Sequence, residues 1–218
     1  TSDVVADASG EMLRPFITPD GMWRLAATGE AIDPLYLTML VAYEDQRFAW
    51  HPGVDPLSLL RAVGQLATNG RVVSGASTLT MQVARLVEPK PRTLSAKGIE
   101  MFRALQLELR HSKDEILTAY LNLAPFGGNI VGVGAAAYFY FGKPADRLSL
   151  GEAALLTVLP RAPARLDPAR DAPAATRGRD MVLDQLAARG AIPPEAAAAG
   201  LRRASLPVIL IANKAEGR

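Results

Sequence analysis

The sequence predicts a mainly α-helical fold with at most a minor strand pair. Three observations carry that prediction. N-cap residues and prolines punctuate the chain at helix-length intervals. Between them, apolar residues recur at helical spacing. Only two short segments, WRLAAT (23–28) and LPVILIA (206–212), have strand-like composition. Taken in order, Asp33 and Pro34 offer an N-cap and an N1 proline for a helix through about Asp45. Asp55 and Pro56 repeat the signal, and residues 56–67 are amphipathic up to Asn69-Gly70. The loop SGAST (74–78) leads into a helix that must end by Pro89. Residues 95–111 form the longest helical stretch, with Ile99, Phe102, Leu105 and Leu109 as its buried side. Ser112 and Glu115 make a capping box for a helix over 115–123, stopped by Pro125. Residues 120–143 read as a glycine-rich polar turn followed by the aromatic run Tyr138–Phe141, which suits core packing better than ligand stacking. Ser149 and Glu152 make a second box for a helix ending at Pro160. Residues 174–189 and 194–203 are helical, closed by Gly190 and separated by Pro193-Pro194.

Composition narrows the chemistry. With 218 residues the chain suits one large domain, or a domain with a small lobe, and buries a core without staples. The absence of cysteine excludes thiolate metal sites, iron–sulfur clusters and cysteine nucleophiles. Two histidines cannot supply a three-histidine metal centre. The net charge of +2 hides a gradient: residues 1–60 carry 3 basic and 9 acidic groups, and residues 61–113 carry 9 basic and 3 acidic. A cationic middle segment points to an anionic partner, a phosphate or a membrane surface; nucleic acid drops out because no base-reading motif accompanies the charge. No run of about 18 apolar residues occurs, so nothing in the sequence spans a bilayer as a helix. The chain starts at Thr1, which leads us to expect an upstream segment removed or trimmed.

Four segments carry candidate chemistry. In VAYEDQRFAWHPGVDP (41–56), Glu44 and Asp45 end an apolar helix, where acids are disfavoured by the helix dipole. Neighbours on a helix point about 100° apart, so one of the two faces a cleft while the other is tied into a cap or to Arg47. His51 reads as a structural hydrogen-bonder of this loop. In GRVVSGASTLTMQVAR (70–85), Ser77 and Thr78 with nearby backbone N–H groups form either a phosphate or oxyanion cradle or an ordinary N-cap. Gln82 and Arg85 share the helix face of Thr78. In SAKGIEMFRALQLELR (95–110), Lys97 and Glu100 lie at i and i+3, either a surface ion pair or a site. Gly98 in that helix suggests close approach by another element or a ligand. In residues 120–143, Asn129 sits in a Gly-Gly-Asn turn that either lines a cleft or is only a turn.

Together these segments resemble the peptidoglycan glycosyltransferase domain, glycosyltransferase family 51, the transglycosylase module of class A penicillin-binding proteins, with the flavour of the C-type bifunctional subgroup. The match covers about residues 35–190. Its first motif is met by Glu44, Asp45, Phe48, His51 and Gly53, and its second by Gly75, Ala76, Ser77, Thr78, Leu79, Thr80 and Gln82. Met81 replaces the first of two usual glutamines. The third motif is met by Lys97 and Glu100, with Ala96 in place of an arginine; the fourth by Tyr120, Leu121 and Asn122; the fifth by Arg179, Val182 and Leu183, with Gly178 where a second arginine is common.

The resemblance implies a lysozyme-like bilobal fold: residues 1–34 lead in, 35–190 form the glycosyltransferase domain, and 191–218 are a C-terminal helix and tail with the transpeptidase domain absent. A small membrane-apposed jaw falls at about 54–74, where Leu57, Leu59, Leu60, Val63, Leu66 and Val72 suit partial burial in lipid. It implies polymerisation of lipid II into β-1,4-linked glycan with inversion and release of undecaprenyl pyrophosphate. Glu44 is then the general base. Lys97, Arg85, Ser77, Thr78 and backbone N–H groups stabilise the leaving pyrophosphate, with Gln82 and Asn129 among the substrate-binding residues. Glu100 orients Lys97, stabilises cationic character at the sugar, or holds a divalent ion such as Mg2+ or Mn2+; no cofactor is obligatory. Arg179 braces the lobes or meets phosphate, and Asp45, Phe48, His51 and Gly75 support the site. The implied address is the outer, periplasmic face of a bacterial inner membrane, with the anchor outside this chain, and the implied inhibitor is a phosphoglycolipid of the moenomycin type. The competing readings are a lysozyme-like glycan hydrolase and a non-catalytic module that binds membrane or lipid pyrophosphate.

Overall fold

The structure, a computed structural model, describes residues 1–8, 12–69, 77–91 and 93–202. Helices dominate it: α1 (Pro34–Glu44), α2 (Pro56–Asn69), α3 (Leu79–Val87), α4 (Leu94–Glu108), α5 (Lys113–Leu123), α6 (Val133–Phe141), α7 (Leu150–Val158), α8 (Ala172–Ala188) and α9 (Pro194–Arg202). Caps set the boundaries. Asp33 accepts from the Leu35 N–H ahead of Pro34, and Asp55 accepts from the Leu57 and Ser58 N–H groups ahead of Pro56. Thr78, Thr93 and Asp171 each accept from a backbone N–H three residues on. Both predicted capping boxes form, at Ser112/Glu115 and Ser149/Glu152.

Strands are more numerous and shorter than the sequence suggests. β1 (Val4–Ala6) pairs antiparallel with β2 (Met12–Pro15), and β3 (Trp23–Arg24), β4 (Pro125–Gly127) and β5 (Ile130–Val131) form a second sheet in the order β3-β5-β4. β3 runs parallel to β5, pairing Trp23 with Ile130. The two-residue β3–β5 ladder joins segments about a hundred residues apart and leaves no local pattern to read. Residues 133–141, read as the end of a turn and an aromatic cluster, instead form α6; Tyr140 and Phe141 are buried, as core packing requires. The second strand candidate, 206–212, lies outside the described residues.

The chain divides into two compact units. The first, Thr1–Tyr43 with Ala124–Arg218, contains the small sheets and α6 to α9. There α7 packs on α8 and both hold α9. Ala153, Leu155 and Leu156 on α7 and Ala175, Val182 and Leu183 on α8 are buried. Gly178 stands where these helices crowd: a Cβ there would lie 3.2 Å from Leu166 and 3.3 Å from Val158. A larger side chain there would require Leu166 and Val158 to shift.

The second unit, Glu44–Leu123, packs α3 against α4 and α5. It overturns one expectation. The buried stripe of α4 is Ala96, Glu100 and Ala104, while Phe102 and Leu109 are 59% and 85% exposed and Leu94, Ile99 and Leu105 also face solvent. Small residues let α3 approach α4 closely, so the bulky apolar residues are left outside. Gly98 lies on this exposed side with open space around it, so it serves no close approach. On α2, Leu57 and Leu60 are exposed as well.

Candidate active site

The helix end at Glu44 separates the two adjacent acids as the helical angle demands. Asp45 is buried, with one oxygen 2.9 Å from His51 Nε2 and the other accepting the Leu79 N–H at 2.9 Å. A carboxylate only accepts, so His51 Nε2 carries the shared hydrogen. Among the described residues the buried Nδ1 has no partner. Asp45 therefore fastens the loop after α1 to the first turn of α3. Arg47 turns instead to Asp55, with Nε at 3.1 Å and Nη2 at 2.6 Å. Burial pushes the Asp55 carboxyl up, but hydrogen bonds from Arg47 and Ser58 outweigh it and hold the pKa at about 2.

Glu44 is half-buried, and its Oε2 accepts from Gln82 Nε2 at 3.0 Å. One helical turn further along α3, Arg85 Nη1 lies 3.7 Å from Glu100 Oε2. Lys97 Nζ donates to the same Glu100 oxygen at 3.1 Å and to Ser77 Oγ at 2.5 Å. Glu100 is buried while Lys97 and Arg85 remain about a third exposed. A buried carboxylate thus anchors two cations whose outer faces meet solvent, which suits them to an anionic group. The surroundings do not fit a divalent ion at Glu100. Its oxygen faces two cations, and no cluster of three His, Asp or Glu side chains suited to a metal occurs among the described residues.

Other predicted residues serve the frame. Thr78 is buried; its hydroxyl donates to the Gly53 carbonyl and accepts from the Met81 N–H, so the N-cap reading holds for it. Phe48 is buried edge-on to His51. Gly53 has φ +89°, and a Cβ there would fall 2.6 Å from the Ala104 carbonyl oxygen, so this close approach of loop to α4 requires glycine. Met81 and Ala96, the two departures in the motifs, are both buried. Gly75 lies outside the described residues.

Two predicted binding residues belong to the other unit. Asn129 donates from Nδ2 to the Gly21 carbonyl at 2.8 Å, and its own carbonyl accepts from the Trp23 N–H. It staples β3 to the turn before β5, which is the turn reading rather than the cleft reading. Arg179 is only 2% exposed and pairs with Asp180 at 2.6 Å, so its burial leaves no face for phosphate and supports bracing within its own unit.

Two residues escaped the sequence reading, and a third, Thr80, entered it only as part of a motif. Thr80, Glu108 and Lys113 form one part-buried cluster: Glu108 Oε1 accepts from Thr80 Oγ1 and from Lys113 Nζ, both at 2.6 Å. Their separations of 28 and 5 residues carry no local signature; the only available signal was that Thr80 lies inside a motif.

The transglycosylase family pattern matches residues 10–187. The chain is 51% identical to penicillin-binding protein 1C of Escherichia coli K12 over 86% of its own length, and 41% identical to penicillin-binding protein 1A of the same organism over 78%. It spans about a quarter of the length of the first and a fifth of the second. A crystal structure of penicillin-binding protein 1A from Haemophilus influenzae superposes with a TM-score of 0.52 at 19% identity, covering 93% of this chain and 20% of that one. That likeness establishes the shared fold.

Proposed function

The chain belongs to the transglycosylase family, and from that premise we propose that it polymerises lipid II, a disaccharide-peptide on undecaprenyl pyrophosphate, into β-1,4-linked glycan. Glu44 takes the proton from the 4-hydroxyl of the acceptor sugar. That oxygen forms a bond to the anomeric carbon of the growing chain as the bond to pyrophosphate breaks, with inversion. The pyrophosphate leaves with the electron pair, and Lys97, Arg85 and Ser77 meet its charge. Base catalysis of this kind contributes roughly 10²–10⁴-fold, and charge-assisted hydrogen bonds to the leaving group add to it.

One observation carries this reading. α3 presents Gln82, which holds Glu44, and one turn later Arg85, which joins Lys97 at Glu100. A hydrolase of neutral glycan needs the carboxylates but has no use for the paired cations. With so buried a carboxylate between them, the role of Glu100 is to orient Lys97 and Arg85.

The substrate is lipid-linked, so the domain works at a bilayer. No helix among the described residues is long and apolar enough to cross one. Exposed Leu57 and Leu60 on α2, and Phe102 and Leu109 on α4, supply apolar groups for contact with lipid. The site of action is the outer face of a bacterial inner membrane, and a moenomycin-type phosphoglycolipid should compete with lipid II.

The test is polymerisation of labelled lipid II by wild type and Glu44→Gln, with products separated by length. The variant should lose at least about 100-fold in rate while still binding lipid II. Glycan made at the wild-type rate by the variant overturns the assignment, and shortening of finished glycan by wild type favours the hydrolase.

A further inference from the structure

Glu44 is held from two sides, and both holds lead to the same part-buried ion pair. On one side, Asp45, the next residue, is fixed by the His51 ring, and the His51 carbonyl accepts from Lys113 Nζ at 2.6 Å. On the other side, Gln82 donates to Glu44 from α3, and two residues earlier on that helix Thr80 donates to Glu108. Lys113 and Glu108 are themselves paired at 2.6 Å. The ammonium also stands 4.5 Å from the centroid of the Phe48 ring, a cation–π contact inside the same loop.

We propose that the Lys113–Glu108 pair, with Thr80, is a positioning device for the Glu44 carboxylate. Neither residue touches substrate; each acts through the segments that carry Glu44 and Gln82. The inference rests on Glu44 being the base. A part-buried ion pair of this kind adds little net stability. What its charged hydrogen bonds supply is direction, because donor and acceptor angles fix the loop and α3 relative to each other. Glu108 Oε1 is the point where α3, α4 and α5 meet, and Lys113 Nζ extends that point to the loop. A general base works only within hydrogen-bond reach of its proton, and a misplacement of about 1 Å costs on the order of 100-fold.

The experiment measures lipid II polymerisation as kcat and KM on the purified chain, at a temperature well below each variant's melting point. Lys113→Met should lower kcat about 10–100-fold with KM within about twofold, and Lys113→Arg should recover most of it. Thr80→Val removes one hydroxyl and should lower kcat about threefold to tenfold, the effect of one lost hydrogen bond, while Thr80→Ser restores it. If Lys113→Met does not fold, the Thr80 pair decides on the same criteria. A kcat within twofold of wild type in Thr80→Val, or a loss that appears in KM alone, overturns the proposal. An activity-independent arm separates this from failure of the functional reading. The side-chain NH2 resonances of Gln82, assigned by their loss in Gln82→Leu, should shift in Thr80→Val and return in Thr80→Ser. Unchanged resonances overturn the positioning role even where wild type polymerises lipid II; a wild type that makes no glycan, with the resonance shift present, refutes only the catalytic assignment.

Discussion

Asp55 makes the pH dependence of this fold calculable. Its carboxylate is buried, yet hydrogen bonds from Arg47 and Ser58 hold its pKa at about 2, against 3.8 for a free side chain. A folded value below the unfolded one means the contribution is complete above about pH 4 and is lost as pH falls through about 2. The shift corresponds to about 2 kcal/mol. Arg47 is 38% exposed, and screening by solvent reduces this to about 1–2 kcal/mol. Asp55→Asn removes the charge but keeps an oxygen for the Leu57 and Ser58 N–H groups, so the cap of α2 survives. Urea unfolding at a series of pH values checks the magnitude. The variant should be about 1–2 kcal/mol less stable than wild type at pH 7 and at pH 5, and the gap should close between pH 4 and pH 2. A gap that stays constant down to pH 2.5 refutes the electrostatic account, because the cost would then lie in packing.

Two further outcomes follow from the same geometry. Gly53→Ala places a methyl group 2.6 Å from the Ala104 carbonyl at positive φ; thermal unfolding should show a loss of about 2–4 kcal/mol from strain and overpacking combined, and a Tm within 1 °C of wild type contradicts it. Phe102→Glu with Leu109→Glu removes two exposed apolar groups from α4. Sedimentation with anionic vesicles should fall severalfold while the Tm is unchanged, and undiminished vesicle binding would remove α4 from the membrane-facing surface.

Much of the site was legible because it is local. Glu44 and Asp45 are adjacent, so the helical angle alone required different tasks, and the structure gives Asp45 to His51 and the Leu79 N–H while Glu44 meets Gln82. Lys97 and Glu100 lie one turn apart and do pair. The exposed face of α4 was not legible. Hydrophobic periodicity finds a stripe but not the side it faces, and here the small residues Ala96 and Ala104 take the buried side with Glu100. Asn129 and Arg179 each left two readings open for a related reason: a polar residue in a motif has the same spelling whether it meets a ligand or is consumed internally.

The sequence by itself therefore determined every described helix except α6, together with their caps and the family, since caps, breakers and motif spacing act within a few residues of chain. Only the tertiary structure decided which polar groups are consumed by the frame and which stay partly exposed. Thr78 and Asn129 are taken up by partners that folding brings to them, whereas Lys97 and Arg85 keep an outer face to solvent. The difference is one of range: a buried polar group must find partners, and those partners sit at separations the chain does not announce.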